Sequence, residues 1–67
     1  MRMLEIVELT SDEVEALRLK NIEGLDQNRC AGRMGISQST FQRTLSSAYK
    51  KVSEALIEGK AIRIINR

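Results

Sequence analysis

Gln38, Ser39, Gln42, Arg43 and Ser46 recur at the spacing that gathers side chains on one face of a helix. The row offers hydrogen-bond donors and acceptors around one fixed positive charge. In a DNA major groove an arginine pairs with guanine O6 and N7 and a glutamine amide with adenine N6 and N7, so this is recognition chemistry. Gln38, Ser39, Gln42 and Arg43 are accordingly the candidate base-reading residues. Ser37 and Thr40 add hydroxyls beside the unpaired N–H groups of a helix start, which suits a phosphate. Arg33, Lys50 and Lys51 add charge for salt-sensitive contacts with the DNA backbone. Each assignment has a plainer competitor: glutamines and serines as a solvated face, Arg43 in an ion pair with a nearby acid, and Lys50 or Lys51 paired with Glu54 along one helix.

A long helix must carry that row, and the apolar pattern supplies it. Phe41, Leu45, Ala48, Val52, Ala55 and Leu56 keep helical phase, which predicts a third helix from about Gln38 to Leu56 or Ile57, stopped by Gly59. Asp26 caps a shorter second helix, Gln27 to Met34, that buries Cys30, Ala31 and Met34. Gly35 suits the left-handed residue after a helix, and Ser37 caps again. The connection Gly35-Ile36-Ser37 is therefore that of a helix-turn-helix, with the small Ala31 letting the two helices approach.

The first helix runs from Ser11 to Ile22. Thr10 and Glu13 have capping-box spacing, and Leu9 can staple onto Val14. Its expected apolar stripe is Val14, Leu17 and Ile22, flanked by Ala16 or Leu19, with its carboxylates on a solvated face. Met3 to Leu9 and Lys60 to Ile65 read as short strands that pair within one chain or between two. Tyr49 lies off the core stripe, suited to a terminal strand, a second subunit or the DNA backbone.

Composition narrows the functions. With 67 residues the chain is one small domain whose core is marginal without a partner, and a roomy enclosed active site is excluded. There is no His and one Cys, so no zinc ligand set, no internal disulfide and no imidazole to activate a Ser, Thr or Tyr nucleophile. Cys30 is expected in the core. No catalytic residue, metal or cofactor is implied. No apolar run is long enough for a membrane span or a secretory leader, which makes the cytoplasm the expected location.

The net charge of +2 conceals a division. Residues 1–28 carry seven acids (Glu5, Glu8, Asp12, Glu13, Glu15, Glu23, Asp26) against three bases (Arg2, Arg18, Lys20), a net of −4. Residues 29–67 carry eight bases (Arg29, Arg33, Arg43, Lys50, Lys51, Lys60, Arg63, Arg67) against Glu54 and Glu58, a net of +6. A chain so divided can turn its basic part toward a polyanion.

The ordered strings Leu9-Thr10-Ser11-Asp12-Glu13-Val14-Glu15-Ala16-Leu17-Arg18-Leu19, Glu23-Gly24-Leu25-Asp26-Gln27, Met34-Gly35-Ile36-Ser37-Gln38-Ser39-Thr40-Phe41 and Lys51-Val52-Ser53-Glu54-Ala55-Leu56-Ile57-Glu58-Gly59-Lys60-Ala61 resemble a small uncharacterised family of bacterial and archaeal proteins. That family is similar in turn to region 4 of bacterial sigma factors, a promoter-reading helix-turn-helix. The resemblance spans roughly Leu9 to Ile64 and implies a sigma region 4-like helix-turn-helix that binds DNA; with the elements above, the expected fold is all-α with a long third helix and short terminal strands, a single DNA-binding domain over residues 1–67. The resemblance also implies Gln38, Ser39, Gln42 and Arg43 toward the bases, with Arg33, Thr40 and Lys50 near the backbone. Family members usually carry a basic, Cys- and Pro-containing segment before the first helix, whereas Met1 to Glu8 is acidic and apolar.

The expected function is sequence-specific binding of double-stranded DNA in transcription regulation, by a homodimer because one small recognition helix makes few contacts. The alternative is a protein-interaction module on the same scaffold that docks to RNA polymerase or another regulator.

Overall fold

Thr10 ends the first strand and begins the first helix. Its hydroxyl accepts the Glu13 N–H at 3.2 Å while the Glu13 carboxylate accepts the Thr10 N–H at 2.9 Å, the reciprocal capping box that the spacing predicts. The computed structural model describes residues 4–66. In it β1 (Ile6–Thr10) leads into α1 (Ser11–Leu17), which a π-helical turn (Arg18–Ile22) prolongs. α2 (Gln27–Met34), α3 (Gln38–Glu58) and β2 (Ala61–Ile65) follow. The fold is mostly helical, three helices with a short two-stranded parallel sheet.

The buried side of the first helix passes through Glu13, Ala16 and Leu19. Ile22, expected in the apolar stripe, is instead 78% exposed. The Glu23 N–H reaches back five residues to the Arg18 carbonyl at 2.9 Å, and a turn of that width does not carry a 3.6-residue phase through to Ile22. Glu13 likewise departs from the solvated face assigned to it, being 5% exposed.

α2 and α3 have local starts and stops. Asp26 accepts the Arg29 N–H at 2.8 Å, and Ser37 accepts the Thr40 N–H at 3.1 Å. Between them Gly35 takes φ +68°, and the Ile36 N–H returns to the Ala31 carbonyl at 3.0 Å. That left-handed step strains any residue with a Cβ, so glycine there sets the short turn. α2 has the expected bounds, and α3 runs one or two residues past the expected end.

Phe41, Leu19 and Cys30 are fully buried at the centre, with Ala16, Ala31 and Leu45 around them and Leu17, Leu25, Met34 and Ile36 packed against the cluster. The thiol of Cys30 donates to the Leu25 carbonyl at 3.5 Å, so the expected core role holds. Val7 and Leu9 of β1 and Ala48 and Ala55 of α3 are also buried, and the two elements are in contact.

The strands pair within the chain, in parallel, from Ile6 opposite Ala61 to Thr10 opposite Ile65. That settles the arrangement left open by the sequence. Met3, placed in the first strand by its sequence, lies outside the described residues. Lys60 stands ahead of β2, its ammonium 2.6 Å from Glu54, 3.1 Å from Glu58 and 3.5 Å from Glu5. Among the described residues no helix is long and apolar enough to cross a membrane.

Candidate functional site

α3 presents one continuous polar stripe to solvent. At about 100° per residue, Ser39, Gln42, Arg43, Ser46 and Lys50 fall within roughly a 100° arc, opposite Phe41, Leu45 and Ala48. All five are exposed. The Gln42 amide donates to the Ser46 hydroxyl at 3.3 Å, along the helix. Arg43 makes no ion pair among the described residues.

Among the described residues Lys20, Arg29, Arg33 and Lys50 share that freedom, and most of the acids do not. Glu5, Glu8, Glu13, Glu15, Glu23, Glu54 and Glu58 are all drawn into ion pairs with Arg18, Lys51, Lys60 or Arg63. Asp26 is occupied as the α2 cap. Among the described residues the charges outside ion pairs are then Asp12 and Asp26 against Lys20, Arg29, Arg33, Arg43 and Lys50. The pairs of Lys51 with Glu13, Lys60 with Glu5 and Arg63 with Glu8 join the acidic and basic parts of the chain and, among the described residues, leave Arg29, Arg33, Arg43 and Lys50 as the unpaired bases of the second.

Lys51, a candidate backbone contact, is engaged within the fold. Its ammonium donates to Glu13 Oε1 at 2.9 Å, while the Ser47 hydroxyl donates to Glu13 Oε2 at 2.5 Å. Burial by itself would raise the Glu13 pKa, but hydrogen bonds from Ser47, the Thr10 N–H and Lys51, with the Lys51 charge, bring it down to about 2. Lys51 therefore joins α3 to α1, and of the two lysines Lys50 is the one free for a phosphate. The competing pairing of Lys50 or Lys51 with Glu54 does not form, and Glu54 is taken by Lys60.

Thr40 sits at the edge of the stripe in an open groove with Thr10, Asp12, Glu13, Arg43, Thr44 and Ser47. Its hydroxyl accepts from Ser37 at 2.9 Å, and Ser39 Oγ lies 3.3 Å from Ser37 Oγ. Ser37 and Thr40 are thus engaged in starting α3. Gln38 lies at the opposite edge, where its amide donates to Asn28 Oδ1 at 3.0 Å and its carbonyl accepts the Gln27 amide at 3.3 Å. Arg33 is not brought to this side. Five residues on from Asn28, it is turned about 140° around α2, and it lines a separate cleft with Leu25, Arg29 and Gly32. Its charge reaches Glu15, whose carboxyl is held below the usual range chiefly by the Arg18 hydrogen bond. Tyr49 is also accounted for: its hydroxyl donates to Asn21 Oδ1 in the π turn at 3.0 Å.

A family model described as "Protein of unknown function DUF134" matches residues 2–66. The chain belongs to the DUF134 family. Similar curated relatives are the "UPF0251 protein" of Desulforudis audaxviator (strain MP104C), 61% identical over 61 residues, and that of Moorella thermoacetica (strain ATCC 39073 / JCM 9320), 56% identical over 64 residues. The "UPF0251 protein Teth514_1147" of Thermoanaerobacter sp. (strain X514) is 53% identical over 64 residues. These matches cover 91%, 96% and 96% of this chain but 40%, 43% and 57% of the relatives, so the chain spans about half the length of the bacterial proteins it resembles. No solved structure matches it.

Two sets of contacts in this DUF134 chain come to notice only in three dimensions. Asn28 meets Gln38 across the turn, and Glu13 anchors Lys51 and Ser47 from the other end of the chain. Asn28 carried no signal beyond its place in the first turn of α2. Glu13 was visible as a capping residue, and its long-range partners were not.

Proposed function

We propose that this DUF134 domain binds double-stranded DNA with sequence preference, α2 and α3 acting as a helix-turn-helix similar to sigma factor region 4 and α3 entering the major groove, in the service of transcription regulation. The observation that supports this is the exposed α3 stripe, where Arg43 and Lys50 lie unpaired beside Ser39, Gln42 and Ser46 while the glutamates are held in ion pairs with other bases. Unpaired bases can release counterions from DNA, and the neighbouring amides and hydroxyls can distinguish base edges. Arg43 and Gln42 are the central readers, Ser39 and Gln38 flank them, and Lys50 follows the backbone. The reading contains no chemical step and no cofactor.

One helix of this size makes few base contacts, so the reading includes a second copy on a second half-site about 34 Å away. Ile62 and Ile64 of β2, 44% and 58% exposed, and Leu56 and Ile57 at the end of α3, 76% and 83% exposed, are the apolar positions that a symmetric contact would cover. Docking to RNA polymerase or another regulator, the competing reading, draws on the acidic first helix and the modest net charge of +2. Glu13 and Glu15 there are bound to Lys51 and Arg18, and no observation favours it over DNA.

The test is selection from a randomised duplex library at low salt, with mass measured by light scattering. An enriched motif of paired half-sites and a dimer mass are the expected results. Failure to retain any duplex in preference to another refutes the DNA reading.

A further inference from the structure

Gln38 differs from the other candidate base readers in being held by a second helix. Its Nε2 donates to Asn28 Oδ1 at 3.0 Å, and the adjacent Gln27 amide donates to the Gln38 main-chain carbonyl at 3.3 Å. Two consecutive residues at the start of α2 thus hold one residue at the start of α3, once by its backbone and once by its side chain. Asn28 and Gln38 are both exposed, so their amide bond lies at the surface. There it contributes little stability, because water competes for both groups and two side chains lose rotamer freedom. Its physical effect is on orientation. A free glutamine amide can turn over about its last torsion and exchange its donor for its acceptor, which blurs what it reads. Tied through one N–H to Asn28, Gln38 keeps the other N–H and Oε1, the donor and acceptor that adenine N7 and N6 require. Asn28 in turn retains its Nδ2 donor, which makes no hydrogen bond among the described residues.

We infer that Asn28 is a specificity-determining positioning residue: it fixes the Gln38 amide to read an adenine, and its own Nδ2 donates to the phosphate beside that base. This rests on the DNA-binding reading above, and the experiment separates the two.

Duplex selection is run with the unaltered chain and with Gln38→Ala, Asn28→Ala and Asn28→Asp, each checked by thermal melting. The unaltered chain should select an adenine position that Gln38→Ala loses. Asn28→Ala should reduce a preference of roughly tenfold or more at that position toward parity and leave the other positions alone. Asn28→Asp keeps the acceptor for Gln38 and loses the donor to phosphate, so it should retain the adenine preference while binding every duplex more weakly. A purely structural role would lower the melting temperature of Asn28→Ala without changing base preference. If the unaltered chain selects a motif and Asn28→Ala selects the same one, the inference is overturned and the DNA reading stands. If Gln38→Ala also leaves the motif intact, Gln38 reads nothing and the inference again falls. If the unaltered chain selects no motif, both fail.

Discussion

The Lys51 ammonium stands 2.9 Å from Oε1 of Glu13, a residue only 5% exposed. The pair fastens the first turn of α1 to the middle of α3, and the Thr10 N–H and the Ser47 hydroxyl complete the carboxylate's partners. A buried carboxylate left without such partners would be costly, so the capping box and the α1–α3 contact stand or fall together.

Acid should weaken that fastening over a defined range. The Glu13 pKa is lowered from 4.5 to about 2 in the folded chain. A depressed carboxylate pKa contributes stability that is present above pH 4.5 and lost as pH falls toward 2. The contribution is on the order of 3 kcal/mol. Glu13→Gln should therefore be less stable than the unaltered chain at neutral pH, with the two melting temperatures converging as pH falls toward 2. Other carboxylates titrate in both proteins, so the difference isolates Glu13. Parallel curves would refute this account.

Lys50 and Lys51, adjacent in sequence, should behave oppositely. Lys51→Met breaks the pair with Glu13 and should lower stability by about 1 kcal/mol or more, a fall of roughly 4–8 °C per kcal/mol in a domain of this size. The salt dependence of duplex binding should not change. Lys50→Ala should melt near the unaltered chain, while the slope of log affinity against log salt becomes shallower by about one. Melting curves and a salt titration for the two variants decide the matter, and equal effects on the salt slope would return Lys51 to the DNA backbone.

The elements legible in the sequence were those closed by neighbouring residues. Thr10 with Glu13, Asp26 with the Arg29 N–H, Ser37 with the Thr40 N–H and the turn at Gly35 each act within a few positions, so the helix starts and the α2–α3 turn could be read directly. The polar row on α3 was legible for the same reason. Contacts made by folding were not: Asn28 and Gln38 are 10 residues apart, Asn21 and Tyr49 are 28 apart, and Glu13 and Lys51 are 38 apart. No local pattern marks such pairs. The π turn escaped because the 3.6-residue phase is assumed in the act of reading a stripe, and strand pairing within the chain depended on where three helices would leave the two ends.

Two glycines of α2 and its turn should respond in opposite directions to alanine. At Gly32, inside the helix, an added Cβ meets nothing within 4 Å, so Gly32→Ala removes unfolded-state freedom without a clash and should stabilise by about 0.5–1 kcal/mol. At Gly35 there is equal space, but φ is +68° and Gly35→Ala should destabilise by about 1 kcal/mol or more. Urea unfolding of both variants measures this. A destabilised Gly32→Ala would show that a bare backbone is needed there for something other than packing.

Arg43 carries the sharpest test of recognition by α3. It is exposed, lacks an ion pair among the described residues and stands between Ser39 and Ser46 on the polar stripe. If it reads guanine through two parallel N–H donors, Arg43→Ala should reduce guanine preference at one position of each half-site by roughly five- to a hundredfold. Arg43→Lys should fail to restore it, because an ammonium keeps the charge and lacks the planar fork. Affinity for unrelated duplexes, and its salt slope, should stay near normal in the lysine variant and drop in the alanine variant. Selection with both variants reads the outcome directly: a lysine chain that selects the unaltered motif would mean that Arg43 contributes charge alone, and the reading of the bases would pass to Gln42 and Gln38.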